Sequence, residues 1–416
     1  MKRMLLVVLL MSCGAPYISS LFPVYAEHFN MNNLEITILF AIYALVLLPS
    51  LLITGANGDY WGQKKVLRFS ILISIASTVF FILSVNIWML YFARVLEGIA
   101  YGVFTGVASA YLLKQTALNK TESMLKISGA ATNLGFGLGP AICGLTIQYL
   151  HFAPLRMPFW ILLGMLLFSS ILLEFLPNDD NRSAEKRKIS MGIPKNMTGP
   201  FWSFIALPIF ALFTLAGVAL SLIPLFVRNV MHSSNLSISG LLILLLLGGG
   251  SMLQFFPWPA HPVVRMRISI LALIIGSWII GYSGEISNLP LLWVGILLEG
   301  LGSGWTFQAA LRFSGELPKP EECTRVITAF YICAYAGFII PPVTVGLLTL
   351  VFQLNTSLMI INAFASIIII YVLAYSVRFN RYYASVVLKE NSSGRIVDAP
   401  SFASVNRSGH RNRERG

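Results

Sequence analysis

The tetrapeptide Asn33-Leu34-Glu35-Ile36 returns 202 residues later, at 235 − 33, as Asn235-Leu236-Ser237-Ile238. The same offset holds from residue 33 to residue 144 without a gap. The paired landmarks are Glu97-Gly98 with Glu299-Gly300, Gly102 with Gly304, Pro140 with Pro342, and Gly144 with Gly346. Apolar helices often resemble one another by chance, but a constant offset over this length does not arise that way. We therefore predict a chain built from two equivalent halves.

The composition indicates that these halves lie in a membrane. Of 416 residues, 56% are hydrophobic and only 11% are charged, and the mean hydropathy is +0.76. A soluble domain carries about a quarter charged residues. Windows of about 20 apolar residues can cross a bilayer as helices, which leave no backbone amide unpaired. We predict twelve such spans, over 4–25, 34–56, 66–85, 87–111, 126–150, 156–176, 200–226, 236–256, 267–284, 289–311, 326–350 and 356–378. The predicted fold class is an all-α membrane protein with two pseudo-symmetric six-helix bundles.

The basic residues predict the orientation of the chain. There are 29 basic and 17 acidic residues, and the basic ones fall in alternate loops and in both termini, whereas the intervening loops hold only Arg156 and Arg228. By the positive-inside rule both termini are expected in the cytoplasm, and twelve spans satisfy that arrangement. A net charge of +12 distributed in this way indicates membrane topology rather than a nucleic-acid partner.

Composition also divides the chain into four parts. Residues 1–176 form the first half, 177–199 a cytoplasmic linker, 200–379 the second half, and 380–416 a basic tail. The tail is rich in Ser, Asn and Arg, and we predict that it is disordered.

Several classes of chemistry find no support in the sequence. The four cysteines have no paired spacing, the five histidines are scattered without an HExxH pattern, and no Gly-Lys dipeptide occurs. Neither a disulfide framework, a zinc site nor a phosphate-binding ATP loop is therefore predicted. We expect a protein that is not an enzyme, without a metal or cofactor.

The loop between the second and third spans carries a patterned motif, Gly55-Ala56-Asn57-Gly58-Asp59-Tyr60-Trp61-Gly62-Gln63-Lys64-Lys65. An Asp at the membrane edge can accept hydrogen bonds from the positive end of a neighbouring helix. The spacing resembles the loop 2–3 signature of the major facilitator superfamily, matching it at five positions: Gly55, Asp59, Gly62, Lys64 and Lys65. Tyr60 and Gln63 depart from the basic residues of that pattern.

The resemblance extends over residues 1–380 and implies alternating access, with helices 1, 4, 7 and 10 lining the cavity. It also implies that the five matching residues form a conformational latch. The equivalent segment of the second half, Pro257–Arg267, has lost the glycines and the Asp, and His261 stands where Asp59 would fall. The latch is therefore predicted to be one-sided.

Two glutamates are expected deep in the membrane. Glu97 lies about 15 Å into the fourth span, and Arg94, three residues before it, can form an ion pair with it. Arg94, Glu97 and Gly98 resemble the family's fourth-helix motif, although Glu97 replaces a usual Gln. Glu299 lies at the equivalent depth of the tenth span with no base in its own helix, so we expect it to be protonated at rest. Since buried ionisable groups indicate function, we assign proton coupling to Glu299, Glu97 and Arg94. A structural ion pair and a merely neutral buried acid are the alternatives.

The fifth span contains Gly135, Gly139, Pro140 and Gly144, and small residues at this spacing let helices approach closely. The pattern also resembles the fifth-helix motif shared by the family's exporters, with Cys143 in place of a usual Gly. Aromatic and amide side chains in the lining helices are candidate substrate contacts, although packing is the simpler interpretation of each. They are Tyr17, Tyr101, Asn133, Trp305, Gln308, Tyr331 and Tyr335.

Together these features predict a secondary transporter that works by alternating access, an antiporter exporting a small organic molecule in exchange for protons. Its motif pattern is closest to the family's twelve-helix proton-coupled exporters. The alternatives are a proton-coupled uptake symporter for a metabolite, a non-transporting membrane receptor or scaffold, and a duplicated helical anchor or channel. The expected partners are a small-molecule substrate, protons and the lipid bilayer. We expect a monomer in the cell inner membrane.

Overall fold

The computed structural model describes residues 2–116, 121–150, 152–178, 190–252, 261–319 and 321–392, and its secondary structure there is helical. Twelve helical segments follow one another along the chain. They are α1 (Lys2–His28), α2 (Asn33–Trp61), α3 (Gln63–Leu83), α4 (Ile87–Lys114), α5 (Thr121–Tyr149), α6 (Met157–Glu174), α7 (Lys195–Asn229), α8 (Leu236–Met252), α9 (Pro262–Glu285), α10 (Leu289–Glu316), α11 (Cys323–Leu348) and α12 (Leu354–Ser392).

Each predicted span coincides with one of these helices. Ten are long and apolar enough to cross a membrane; the other two are α8, with 17 described residues, and α10, which carries the charged Glu299 and several glycines. Asparagines begin three of the helices: Asn32, Asn86 and Asn288 accept hydrogen bonds from the first turns of α2, α4 and α10. Asn86 and Asn288 are related by the 202-residue offset, so the repeat extends to the caps.

The chain after residue 379 differs in part from its predicted disorder. Helix α12 continues to Ser392, because the polar residues that follow the apolar stretch still favour a helix once a long one has begun. Residues 393–416 and residues 179–189 of the predicted linker lie outside the described residues.

Helix packing repeats between the halves. In the first half α5 packs against α1, and α4 packs against α2 and α3; in the second half α11 packs against α7, and α10 against α8 and α9. Between the halves α2 packs against α11 and α5 packs against α8. Under the 202-residue offset α2 corresponds to α8 and α5 to α11, so the two interfaces are equivalent. The prediction of two pseudo-symmetric six-helix bundles is confirmed.

Contacts joining the halves lie at the end of the bundle away from the chain termini, which we call the opposite end. Gly144 of α5 lies so close to α8 that an added Cβ would be 2.9 Å from the Leu236 carbonyl oxygen. Gly346 of α11, its repeat equivalent, lies equally close to α2, 2.9 Å from the Cα of Leu34. Glycine therefore allows both symmetry-related interfaces to close backbone to backbone.

Polar and aromatic contacts hold the same end together. Glu27 at the end of α1 forms an ion pair with Arg228 at the end of α7. The Leu236 amide donates to Gln148 Oε1 at 2.9 Å. Slightly deeper, the rings of Phe40 and Phe338 lie 4.8 Å apart across the interface.

Substituting Gly144 with Val should force the halves apart at the opposite end. The added side chain would overlap the α8 backbone at Leu236, and overpacking of this kind costs about 1–3 kcal/mol. Spin labels at Phe152 and Val351, exposed positions three residues beyond the ends of α5 and α11, should report longer distances in the variant.

The matched control is Gly164→Val in α6, where nothing lies within 4 Å of an added Cβ. This variant should leave the distance distribution unchanged. Equal distances in the Gly144 variant and the wild type would show that the α5–α8 contact does not keep this end closed.

Candidate functional site

A break in α1 creates the anchor for a buried arginine. Pro16 has no backbone N–H, and the chain tightens into a 3₁₀ turn over Tyr17–Leu21, in which the Ser19 amide bonds to the Pro16 carbonyl at 3.0 Å. The Ala15 carbonyl, which a continuous helix would pair with Ser19, instead accepts from Arg94 Nη1 at 3.1 Å.

Arg94 is held by four groups from three helices. Besides Ala15, its guanidinium donates to Glu97 Oε2 at 2.6 Å and to the Leu39 carbonyl at 3.2 Å, and it lies 4.5 Å from the ring centre of Tyr43. The side chains of Arg94 and Glu97 are only 1% and 6% exposed. The ion pair predicted from their spacing is present within α4, and the bonds from Arg94 to the Ala15 and Leu39 carbonyls join that helix to α1 and α2.

Glu299 has a different environment at the equivalent position of α10. The place of Arg94 is taken by Ile296, and Glu299 Oε1 has no hydrogen-bond partner among the described residues. Glu299 borders a cavity of about 20 Å³ inside the second half, which has room for about one water molecule. Leu222 of α7 is among its apolar walls, and Ser277 of α9 and Asn362 of α12 are its polar ones.

The polar wall is internally bonded. The Ser277 hydroxyl donates to Asn362 Oδ1 at 2.6 Å, and Asn362 Nδ2 donates to the Ser277 carbonyl at 2.9 Å. One N–H of Asn362 remains after these bonds, so the cavity combines an unpaired carboxyl oxygen with an amide able to donate to a bound water.

An aromatic cluster lies where the halves meet. In the first half, Tyr101 lies 5.2 Å from Phe136 and 6.4 Å from Tyr43, measured between ring centres. In the second half, Phe213 lies 6.0 Å from Tyr335 and 5.6 Å from Phe338. Phe40, one helical turn before Tyr43, lies 4.8 Å from Phe338 across the interface, so the two groups, which contain the predicted lining residues Tyr101 and Tyr335, lie on either side of it.

The other predicted lining residues are more scattered. Tyr17 was expected in the cavity, but its hydroxyl donates to the Pro158 carbonyl at 2.7 Å, and its buried ring packs α1 against α6. Tyr331 packs against Phe330, at 5.3 Å between ring centres. Asn133 of α5 and Trp305 and Gln308 of α10 are half-buried.

The residues that sequence reasoning missed are Phe40, Tyr43, Phe136, Phe213 and Phe338. Phe40 and Tyr43 are one helical turn apart, which is the signal that marks them as sharing a face. That spacing does not tell which neighbour the face meets.

Two of the predicted latch residues, Asp59 and Lys64, form hydrogen bonds and an ion pair within the first half. Asp59 Oδ1 accepts from Gln63 Nε2 at 2.6 Å and forms an ion pair with Lys114 at 2.9 Å, which ties α2 to α3 and α4. Lys64 donates to the Glu174 and Leu176 carbonyls at 3.0 and 2.6 Å and so caps the end of α6.

The remaining predicted latch residues, Gly55, Gly62 and Lys65, lie at a helix contact, at a sharp turn and on the surface. Gly62 has a φ of 88°, which lets the chain turn sharply from α2 to α3. Gly55 lies against Gly106 of α4, and Lys65 is exposed. Of the second-half equivalent, residues 257–260 lie outside the described residues, and His261 caps α9 through a long bond to the Val263 amide.

The fifth-helix motif forms a junction between α1, α5 and α8. Gly135 and Gly139 face the backbone of α1 at Leu9 and Cys13. The Pro140 carbonyl accepts from Ser20 at 2.8 Å and also lies against Gly240 of α8. Together with Gly144, these residues bring one helix of the second half directly onto the first.

Comparison with known proteins identifies the family. The model of the Major Facilitator Superfamily matches residues 4–342. The chain therefore belongs to the major facilitator superfamily and is a multi-pass membrane protein.

Among curated relatives, an uncharacterized MFS-type transporter of Methanocaldococcus jannaschii is 25% identical over 183 residues, 42% of this chain and 46% of that protein. Multidrug resistance protein 2 of Bacillus subtilis is 23% identical over 42% of this chain and 43% of its own length. The class D tetracycline resistance protein of Salmonella ordonez is 29% identical over 43% of this chain and 45% of its own. The chain thus spans about half the length of the curated relatives it matches.

Solved structures resemble about nine tenths of the chain. The nucleoside transporter NupG has a TM-score of 0.69 at 13% identity, covering 90% of this chain and 98% of its own. A bacterial homolog of the human lysosomal transporter Spinster, in an inward-facing and unoccupied conformation, has a TM-score of 0.66 at 14% identity, covering 91% of this chain and 97% of its own. At these identities the similarity establishes the shared fold.

Replacing Arg94 with Met should destabilise the protein strongly. It leaves the Glu97 carboxylate buried without a partner, and breaking a buried pair in this way costs about 3–5 kcal/mol. The double variant Arg94→Met, Glu97→Gln removes the charge as well and should recover part of the loss. Thermal unfolding of the purified protein in detergent measures both.

Arg68→Met is the matched control, because Arg68 and Glu174 form an ion pair whose side chains are 45% and 50% exposed. Exposed pairs contribute about 0–1 kcal/mol. Equal losses of stability in the Arg94 and Arg68 variants would mean that the buried pair does not hold α4 to α1 and α2.

Proposed function

We propose that this transporter exports a small organic molecule in exchange for protons. The observation that carries the proposal is the contrast between its two buried glutamates. They occupy equivalent positions of the repeat, but Glu97 is bound to Arg94, whereas Glu299 faces a small cavity with one oxygen unpaired. An acid without a base is favoured in its neutral form in a dry site and can release a proton when water reaches it.

The two glutamates are proposed to have separate roles. Glu299 exchanges protons, and its cavity leaves room for the water through which a proton would pass. Glu97, held by Arg94 beside the broken segment of α1, helps orient substrate and couples its binding to α1 and α2. This division follows from the presence of Arg94 in one half and Ile296 in the other.

Transport by alternating access is supported by the position of the contacts between the halves. Those contacts lie at the opposite end, so we propose that the structure represents the state open toward the end that carries the termini. The distribution of basic residues supports a cytoplasmic location for that end. In this state Asp59 is engaged within the first half, and we propose that the loop contacts the second half after the transporter switches.

The substrate is proposed to be an amphipathic compound with an aromatic ring. The aromatic residues at the interface, Phe40, Tyr43, Tyr101, Phe213 and Tyr335, offer ring faces for stacking and three tyrosine hydroxyl groups for hydrogen bonds. Export is supported by the resistance proteins among the matching relatives and by the small-residue motif of α5.

Replacing Glu299 with Gln should abolish proton-driven flux while binding is preserved. The amide resembles a protonated carboxyl group in shape, so the site keeps its packing but carries no exchangeable acid. Substrate-induced proton movement in proteoliposomes, measured beside a binding assay, tests this. Glu97→Gln is the matched comparison and should weaken binding as well, since Arg94 loses its ionic partner.

Normal substrate-induced proton movement in the Glu299 variant would remove its coupling role and leave Glu299 as a packed, neutral acid. Loss of binding in the same variant would assign it to the substrate site instead.

Uptake by a proton symporter is the alternative that shares this fold and site. Everted vesicles should accumulate substrate when acidified inside if the protein is an exporter, whereas accumulation only in right-side-out vesicles would establish uptake. A receptor or scaffold would show no gradient-dependent flux in either preparation and would tolerate changes at both glutamates.

A further inference from the structure

A groove runs along the outer surface of the second half between α9 and α12. It is lined by Leu271, Ile275, Trp278 and Tyr282 from α9 and by Ile370 and Leu373 from α12. The α9 residues recur at intervals of three or four and so form one stripe along the helix. From Leu271 to Tyr282 the stripe rises about 17 Å, close to half of the hydrocarbon thickness of about 30 Å.

The groove is shaped by contacts between its two helices. Trp278 Nε1 donates to Ser366 Oγ at 2.9 Å, which fixes the indole ring against α12. Deeper, the bonds between Ser277 and Asn362 join the same helices. These bonds hold α9 and α12 together, and the groove between the two helices presents an apolar surface to the lipid.

Arg267 lies one helical turn beyond Leu271, at the end of the groove nearer the termini. Its Nε donates to Ser376 Oγ at 2.7 Å, and Ser376 is itself bonded to the Leu373 carbonyl. The guanidinium is thus oriented by α12, and among the described residues only one of its five N–H donors has a partner.

Other basic groups lie at the same end of α12. Arg378 lies 6.0 Å from the ring centre of Tyr375, and Arg381 is exposed. Within the described ranges, none of Arg267, Arg378 and Arg381 forms an ion pair with an acidic side chain. The apolar groove, about one leaflet deep, therefore ends at Arg267, and Arg378 and Arg381 lie on the adjoining stretch of α12.

We propose that this groove binds one anionic phospholipid of the leaflet on the terminal side. An acyl chain lies along Leu271, Ile275 and Trp278, and the phosphate is bound by Arg267 with help from Arg378 and Arg381. Guanidinium groups bind phosphate in two-point geometry, and basic sites between membrane helices suit anionic head groups. The proposal is independent of what the protein transports.

Native mass spectrometry of the delipidated full-length protein tests the proposal with dioleoyl-phosphatidylglycerol, which is anionic, and dioleoyl-phosphatidylcholine, which is zwitterionic with the same chains. One lipid should bind with preference for the anionic head group. Arg267→Gln should weaken binding of phosphatidylglycerol about fivefold, the factor for about 1 kcal/mol per basic residue. Arg267→Lys should retain most of the preference, because the charge remains.

The acyl-chain part has its own pair of variants. Ile275→Trp would fill the groove at a side chain that is now 50% exposed and should reduce binding, whereas Ile367→Trp, at a 68% exposed position of α12 outside the groove, should not. This pair keeps the proposal testable if Arg267→Gln fails to fold.

Equal binding of the two lipids would overturn the proposal that the site recognises an anionic head group. Unchanged binding in the Ile275 variant would overturn the proposal that the acyl chain lies in the groove. Inorganic phosphate that competes as well as phosphatidylglycerol would show an anion site without an acyl chain, which would also overturn the proposal.

Discussion

The close approach of helix backbones at glycine is the constraint on which the rest of this structure depends. Inside a membrane, apolar side chains gain little by leaving lipid for protein, so helices associate by packing closely and by exchanging hydrogen bonds. Gly98 and Gly102 seat α4 against α2, and Gly300 and Gly304 seat α10 against α8. The buried glutamates lie beside these crossings. Their depth and their neighbours follow from how closely α4 and α10 approach the helices around them.

The two halves share this packing but differ in electrostatics. In the first half a proline breaks α1, a carbonyl becomes available, and Arg94 uses it to remain buried with Glu97. In the second half Val218 stands in place of Pro16, α7 is helical through that point, and an apolar Ile296 replaces the arginine. One duplication has thus produced a fixed ion pair and an unpaired acid. That difference is the basis on which we propose that one half holds its charge while the other exchanges a proton.

Much of the candidate site could be predicted from the sequence, but the residues that each site residue contacts on other helices could not. The pair between Arg94 and Glu97 follows from their spacing on one helix. The partners of Tyr17, Asp59 and Glu299 lie on other helices, and those depend on how each helix is rotated about its axis. Tyr17 is an example, because its hydroxyl donates to the Pro158 carbonyl of α6, a partner that its position in α1 does not predict. The helical start of the tail was missed because its polar residues predict disorder only where no helix precedes them.

The sequence by itself determined the number of helices, the duplication and the two buried acids. These are local properties, since apolar windows, a 202-residue offset and depth along a span require no knowledge of neighbours. Only the tertiary structure decided that the halves meet through α2 with α11 and α5 with α8, that Arg94 reaches the broken segment of α1, and that Glu299 faces a cavity of its own. The physical reason is that a helix in lipid is apolar on nearly every side. Its sequence therefore does not show which face is buried in the protein. That face is decided by close packing among all twelve helices.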